Sequence, residues 1–158
     1  MPDTPIVLRE QHYHQIKAVL ARLKLDSSAR VVCLVDKDGQ QIATHGEVGS
    51  LDTTSLASLA AGNVAATGGM AKLIGEEEFP TLSHEGARES IHISVVGRTL
   101  LIVLFDERSS LGLVKLRTRQ VSSELSSILV QIQSAARQSD EAQIFGDITE
   151  EDIDRLFN

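Results

Sequence analysis

Two short runs constrain the fold of this chain more than any other feature. Val31-Val32-Cys33-Leu34-Val35 is apolar at every position, and Thr99–Phe105 is nearly all apolar. Successive side chains of a strand point to opposite faces of its sheet, so a strand apolar throughout is buried on both faces. Both runs are too short for helices and rich in β-branched or large aliphatic residues, which favours strands. The sheet that holds them needs cover on both sides, and the rest of the sequence has to supply it.

Three helical stretches do so. The first spans about Leu8 to Leu25, with Leu8, Ile16, Val19, Leu20 and Leu23 at helical spacing, and Asp26-Ser27-Ser28 breaks it. The second starts at a cap supplied by Asp52, Thr53 or Thr54 and runs to about Ile74, with Gly75 as its stop. The third is capped by Ser109 or Ser110 and carries Leu111, Val114, Val121, Leu125, Ile128, Leu129 and Ile132. Asp38-Gly39 is a two-residue hairpin signal that joins Val31–Val35 to a more exposed strand, Gln40 to about His45. Thr81–Glu85 follows Pro80, Ile91–Val96 alternates cleanly, and Gly97-Arg98 turns the chain into Thr99–Phe105. The order is α-β-β-α-β-β-β-α, an α/β sandwich-like fold with a five-stranded, mainly antiparallel sheet. Residues 1–137 form the domain, 138–147 a flexible polar linker, and 148–158 an acidic amphipathic tail with Ile153, Leu156 and Phe157 on one side.

Charge narrows the possible partners. The chain of 158 residues carries a formal charge of −7. Residues 138–158 hold seven acids and one base, hence −6, which leaves the body near −1. Such a protein cannot release phosphate counterions, which argues against nucleic acid. The tail fits either a protein partner or plain solvation. Cys33 is the one cysteine and lies in a buried run, which suits a reducing compartment. No early stretch resembles a signal peptide and no run approaches a membrane span, so the chain reads as soluble and cytoplasmic.

The second helix is the unusual one. Ser55–Met70 is dominated by Ala, Gly, Ser and Thr, and glycines inside a helix cost roughly 0.5–1 kcal/mol each against alanine. Ala61, Ala65 and Gly69 fall at i, i+4 and i+8 and form a smooth stripe. That stripe serves either close packing on the helix's own sheet or a flat surface for another chain. Leu56, Leu59, Leu73 and Ile74 are available for the sheet, leaving part of the stripe free. No phosphate-binding loop, zinc-binding H-E-x-x-H or nucleophile elbow occurs. The histidines are scattered; His84 and His92 can meet across paired strands but have no third ligand. Arg98 and Arg108 lie in turns, either as solvated surface groups or as fingers for a partner's active site.

The element order, together with Val31-Val32-Cys33-Leu34-Val35-Asp36-Lys37-Asp38-Gly39, resembles the Roadblock (dynein light chain) family. Asp52-Thr53-Thr54-Ser55-Leu56-Ala57-Ser58-Leu59 and Ala61-Gly62-Asn63-Val64-Ala65-Ala66 resemble its MglB-type members, bacterial regulators of the Ras-like GTPase MglA. Further likeness lies in Ala71–Glu76, Phe105-Asp106, Ser109–Val114 and the closing Asp152-Ile153-Asp154 with Leu156-Phe157. The resemblance implies a cytoplasmic homodimer whose strands at Thr81, Leu82, Ser83 and His84 pair into one continuous sheet, with the two second helices side by side. It implies a GTPase-activating regulator of cell polarity or gliding motility, with no active site, metal or cofactor of its own. Such a dimer binds one GTP-loaded MglA-like partner and reshapes that partner's active site without an arginine finger. Ala61, Ala65 and Gly69 are then the contact surface, with a second contact at His14 and Gln15. Ile153, Leu156 and Phe157 anchor a tail that docks away from the main interface and is associated with nucleotide exchange. The alternative is a non-catalytic scaffold that recruits other polarity or motility proteins at a cell pole.

Overall fold

The computed structural model describes residues 9–146 and residue 155. The elements are α1 (Glu10–Ser27), β1 (Val31–Asp36), β2 (Gln41–Gly46), α2 (Thr53–Leu73), β3 (Thr81–Glu85), β4 (Ser90–Val96), β5 (Thr99–Phe105) and α3 (Leu111–Gly146). The five strands form one antiparallel sheet in the order β2-β1-β5-β4-β3. β1 and β5 are central neighbours, and both are buried along nearly their whole length. This is the arrangement that two uniformly apolar strands require.

Strand alternation divides the core into two. Val32, Leu34, Leu101, Val103 and Phe105 face α1 and α3, which contribute Ile16, Leu20, Leu23, Val114, Leu125 and Ile132. Val31, Cys33, Val35, Leu100, Ile102 and Leu104 face α2, which contributes Ala57, Ala60, Ala61 and Val64. The sheet therefore separates α1 and α3 on one side from α2 on the other.

Local chemistry sets the element ends. Ser27 extends α1 beyond Asp26 by donating its hydroxyl to the Leu23 carbonyl at 2.6 Å, and Ser28 ends it in the left-handed region at φ 53°. The Asp52 carboxylate caps α2 by accepting from the Ser55 amide at 3.0 Å. Ser110 caps α3 by accepting from the Leu113 amide, while the Ser109 hydroxyl donates across to the Ser27 carbonyl.

Two expectations are corrected. The β1–β2 turn has three loop residues rather than two. Gly39 N–H donates to Asp36 O, Asp36 N–H donates to Gln40 O, and Gly39 takes φ +94°. The Asp36 carboxylate accepts from the Asp38 and Gln40 amides, which favours this wider loop over the tight two-residue form. The second correction concerns the stretch after Arg137, expected to be loose. α3 continues as a helix through Gly146. Gln138–Phe145 contains no Pro or Gly and includes Glu, Ala and Gln, so polarity alone does not stop the helix. The tail anchors Ile153, Leu156 and Phe157 lie outside the described residues. Among the described residues, no helix is long and apolar enough to cross a membrane.

Edge strand β3 is tied to the sheet by a buried histidine. His92 on β4 is only 1% exposed, with Ser83 Oγ 2.8 Å from its Nδ1 and Ser94 Oγ 3.2 Å from its Nε2. Burial, and to a lesser degree the charge of Lys115, holds its pKa below the usual histidine value. The native state thus binds fewer protons there than the unfolded chain, so stability falls as pH drops below about 6.5 toward the native pKa. We expect His92→Gln to show a shallower loss of Tm than the wild type between pH 7.5 and 5. Parallel Tm–pH curves for the two proteins would remove His92 as the cause.

At the other end of the sheet, Gly46 has φ +126°, and a Cβ there would lie 2.3 Å from the Arg30 carbonyl oxygen. Gly46→Ala should lower unfolding stability by more than about 1 kcal/mol in urea denaturation. An unchanged midpoint and slope would show that the strand end shifts without cost.

Candidate functional site: the outer face of α2 and the β3 edge

α2 lies on the sheet through small side chains. Ala57, Ala60, Ala61, Val64 and Ala71 are buried, and only Leu56 among the larger expected contacts packs partly against the sheet. Leu59, Leu73 and Ile74 point away instead, at 72%, 88% and 70% exposed, as does Met70 at 61%. The expectation that these leucines and Ile74 serve the sheet is therefore corrected. The sheet face already carries Ile102, Leu100 and Leu104, so methyl-sized partners on the helix let the two layers close without overpacking.

The same geometry divides the predicted stripe. Ala61 is 8% exposed and faces the sheet, where a Cβ on Gly39 would stand 3.6 Å from its own. Ala65 and Gly69 are exposed, because four-residue steps advance 40° per step around a helix and carry the stripe out of the contact. A different line runs along the outside: Leu59, Gly62, Ala66, Gly69, Met70 and Leu73, all exposed. Nothing lies within 4 Å of a Cβ placed on Gly62, Gly68 or Gly69. Sequence reasoning missed Leu59, Leu73 and Ile74 as surface residues by giving them to the sheet. The signal that could have found them was the set Ala57, Ala60, Ala61 and Val64, which is itself a complete helix face.

β3 forms the uncovered border of the sheet. Among the described residues it pairs only with β4, and Thr81, Ser83, His84 and Glu85 are exposed while Leu82 packs beneath α2. Its outer backbone groups present a strand edge of the kind that pairs with another strand. His84 Nε2 lies 3.4 Å from Asn63 Oδ1, joining the edge to α2. The helix face and the open strand thus border one another.

The remaining candidates fall elsewhere. His14 and Gln15 are exposed on α1, across the sheet from α2, and His14 sits 3.7 Å from Glu10. The structure does not bring them together with Ala65 and Gly69 within one chain. His84 and His92 do not meet: the register sets His92 opposite Ser83 and His84 opposite Ile91, which places their side chains on opposite faces. Among the described residues, no three His, Cys, Asp or Glu side chains cluster to hold a metal ion. Cys33 is buried, and burial raises its thiol pKa against an opposing hydrogen bond from Thr44. Arg108 is held by Asp106 at 3.1 and 3.2 Å and by Glu47 at 3.3 Å, and these bonds raise its pKa further. A guanidinium clamped by two carboxylates is poorly placed to enter another protein's active site. Arg98 closes the β4–β5 turn, and its carbonyl accepts from the Lys37 amide at 3.2 Å.

Comparison with known proteins accounts for this arrangement. Residues 15–105 match the Roadblock/LC7 domain. The chain is 54% identical to Myxococcus xanthus MglB, with a TM-score of 0.75 over 80% of this chain and 96% of that one. It is 32% identical to a gliding protein, MglB, from Thermus thermophilus, with a TM-score of 0.77 over 82% of this chain and 98% of that one. A third structure, an MglB with a tetrameric arrangement, is 30% identical with a TM-score of 0.78 over the same shares. The comparison with curated proteins gave no match. The chain belongs to the Roadblock/LC7 family and is a Roadblock protein of the MglB type.

Proposed function

We propose that this protein acts as a homodimer that activates an MglA-like Ras-type GTPase, with no active site of its own, in bacterial polarity or gliding motility. The observation that carries the reading is the 54% identity to Myxococcus MglB across 96% of that chain. The open β3 edge supports the dimer: antiparallel pairing of two such edges satisfies both and sets two α2 helices side by side. The outward line of Leu59, Gly62, Ala66, Gly69, Met70 and Leu73 supports a partner on that side, since exposed apolar surface next to glycine admits close backbone approach. The relative from Thermus bears the description of a gliding protein, which supports the motility setting.

Activation without a supplied arginine follows from the physics of phosphoryl transfer. The reaction depends on positioning and on charge stabilisation. A partner that binds only the GTPase conformation with its own catalytic groups in place shifts the population toward that conformation. The carboxylate clamp on Arg108 agrees with this mode of action. Ala65 and Gly69 are the central contacts of the proposed interface, His14 and Gln15 a secondary one, and Ile153, Leu156 and Phe157 the tail anchors. Activity is cytoplasmic and concentrates where the GTPase does, at a cell pole.

GTP turnover by the cognate GTPase, with and without this protein, tests the reading. We expect strong stimulation that returns to the unstimulated rate in Ala65→Arg and Gly69→Arg, both at exposed positions, with dimer mass unchanged by sedimentation. Stimulation that survives both substitutions places the interface elsewhere. A stable complex without stimulation makes the protein a scaffold.

A further inference from the structure

Alternate residues of edge strand β3 turn their backbone outward, and the hydrogen bonds at its two ends say which. Pro80 O accepts from the Val95 amide at 2.9 Å, and the Gly86 amide donates to Glu89 O at 3.0 Å. In an antiparallel ladder, residues that exchange hydrogen bonds alternate with residues whose amide and carbonyl face away. The β3–β4 register carries this alternation through the strand, so Leu82 and His84 bond to β4. The backbone groups of Thr81, Ser83 and Glu85 therefore point to the open side. The N–H that Pro80 lacks falls on the inner side and leaves the outer row intact.

Ser83 also has a second connection. It lies opposite His92 on β4, on the sheet face away from Leu82 and α2, and its Oγ is 2.8 Å from His92 Nδ1. His92 is 1% exposed and is held from behind by Ser94 Oγ, 3.2 Å from its Nε2. The exposed middle of the edge is thus tied to a buried imidazole.

Two such edges meet antiparallel about a twofold axis. With Ser83 on the axis, Ser83 faces Ser83 and Thr81 faces Glu85 on each side, and every outward residue of β3 finds a partner that exchanges hydrogen bonds with it. An axis at Leu82 or His84 leaves one outward residue of the strand unmatched. An axis at either end leaves two, and at Glu85 it also sets like charges face to face. A serine hydroxyl both donates and accepts, so each Ser83 can bond its own His92 and the opposite Ser83 together. We propose that two copies pair with Ser83 on the twofold axis, so that His92 and Ser83 of both copies form one hydrogen-bonded row across the dimer, on the side away from α2. This contact rests on the homodimer proposed above and makes His92 a positioning residue that acts on the second copy only through Ser83.

The test uses the full chain, in which Cys33 is buried and stays out of the reaction. Hydrogen-bonded strand neighbours lie about 5.5 Å apart at Cα, which suits a disulfide, so single cysteines read the axis. Under air oxidation we expect Ser83→Cys to link copies several-fold better than Thr81→Cys or Glu85→Cys alone. Thr81→Cys combined with Glu85→Cys should link them as well as Ser83→Cys does. Strongest self-linking at Thr81 or Glu85, in a chain that sediments as a dimer, overturns the axis and leaves the dimer standing. A wild-type chain that sediments as a monomer overturns both. The row itself is read from the dissociation constant of the dimer. Ser83→Ala and His92→Leu should each raise it several-fold, and His92→Leu should add little to Ser83→Ala. No loss in Ser83→Ala, or a full further loss from His92→Leu in that background, overturns the row.

Discussion

Burial of β1 and β5 on both faces is the constraint on which the rest of this structure depends. A sheet with polar alternation in its central strands can leave one face to solvent, but Val31–Val35 and Leu100–Phe105 offer water no acceptable side. Full burial of a leucine or isoleucine stabilises by about 1.5–3 kcal/mol, and Leu34, Leu100, Leu101 and Ile102 are all essentially inaccessible. Helices on both sides follow from this. α1 and α3 together cover one face with large aliphatic side chains, while α2 alone covers the other, mainly with alanines and Val64.

That asymmetry connects the fold to its use. β3, last in the strand order, has Leu82 beneath α2 but no strand on its outer side among the described residues, so its edge is open. The helix also needs none of its large side chains for the sheet, so Leu59, Met70, Leu73 and Ile74 remain on its outer surface. An uncovered strand and an apolar helix face next to each other form an unfinished layer. In the proposed dimer a second chain completes it by extending the sheet.

Much of this was legible in the sequence. The two apolar runs gave the buried centre, and the bounds of β3 and β5 agree residue for residue with the alternation and the flanking turns. What misled was size. Leu59, Leu73 and Ile74 looked like core residues because they are large, whereas the sheet-facing positions of α2 are filled mainly by alanines with Val64. Ala61 was grouped with Ala65 and Gly69 by spacing, but the drift of a four-residue period over two turns separates a buried position from two exposed ones. The polar stretch after Arg137 looked like a linker because it has no apolar face. It contains no breaker before Gly146, and the helix passes through it. In the β1–β2 turn, Asp38-Gly39 identified the hairpin, but the reach of the Asp36 carboxylate, invisible to a dipeptide rule, selected the loop length.

The alanine face of α2 has a further consequence for how its outer surface can vary over evolution. With alanines at Ala57, Ala60 and Ala61 as its main spacers, the helix lies close to the rest of the domain, and Ser58 Cα is already 3.2 Å from where a Cβ on Gly39 would stand. A larger side chain at Ala57, Ala60, Ala61 or Ala71 can therefore only push the helix outward. A change hidden beneath the helix would raise every residue on top of it together, and two such helices in a dimer would shift as a pair. The elevation of the exposed face is thus set from below, by residues that no partner touches.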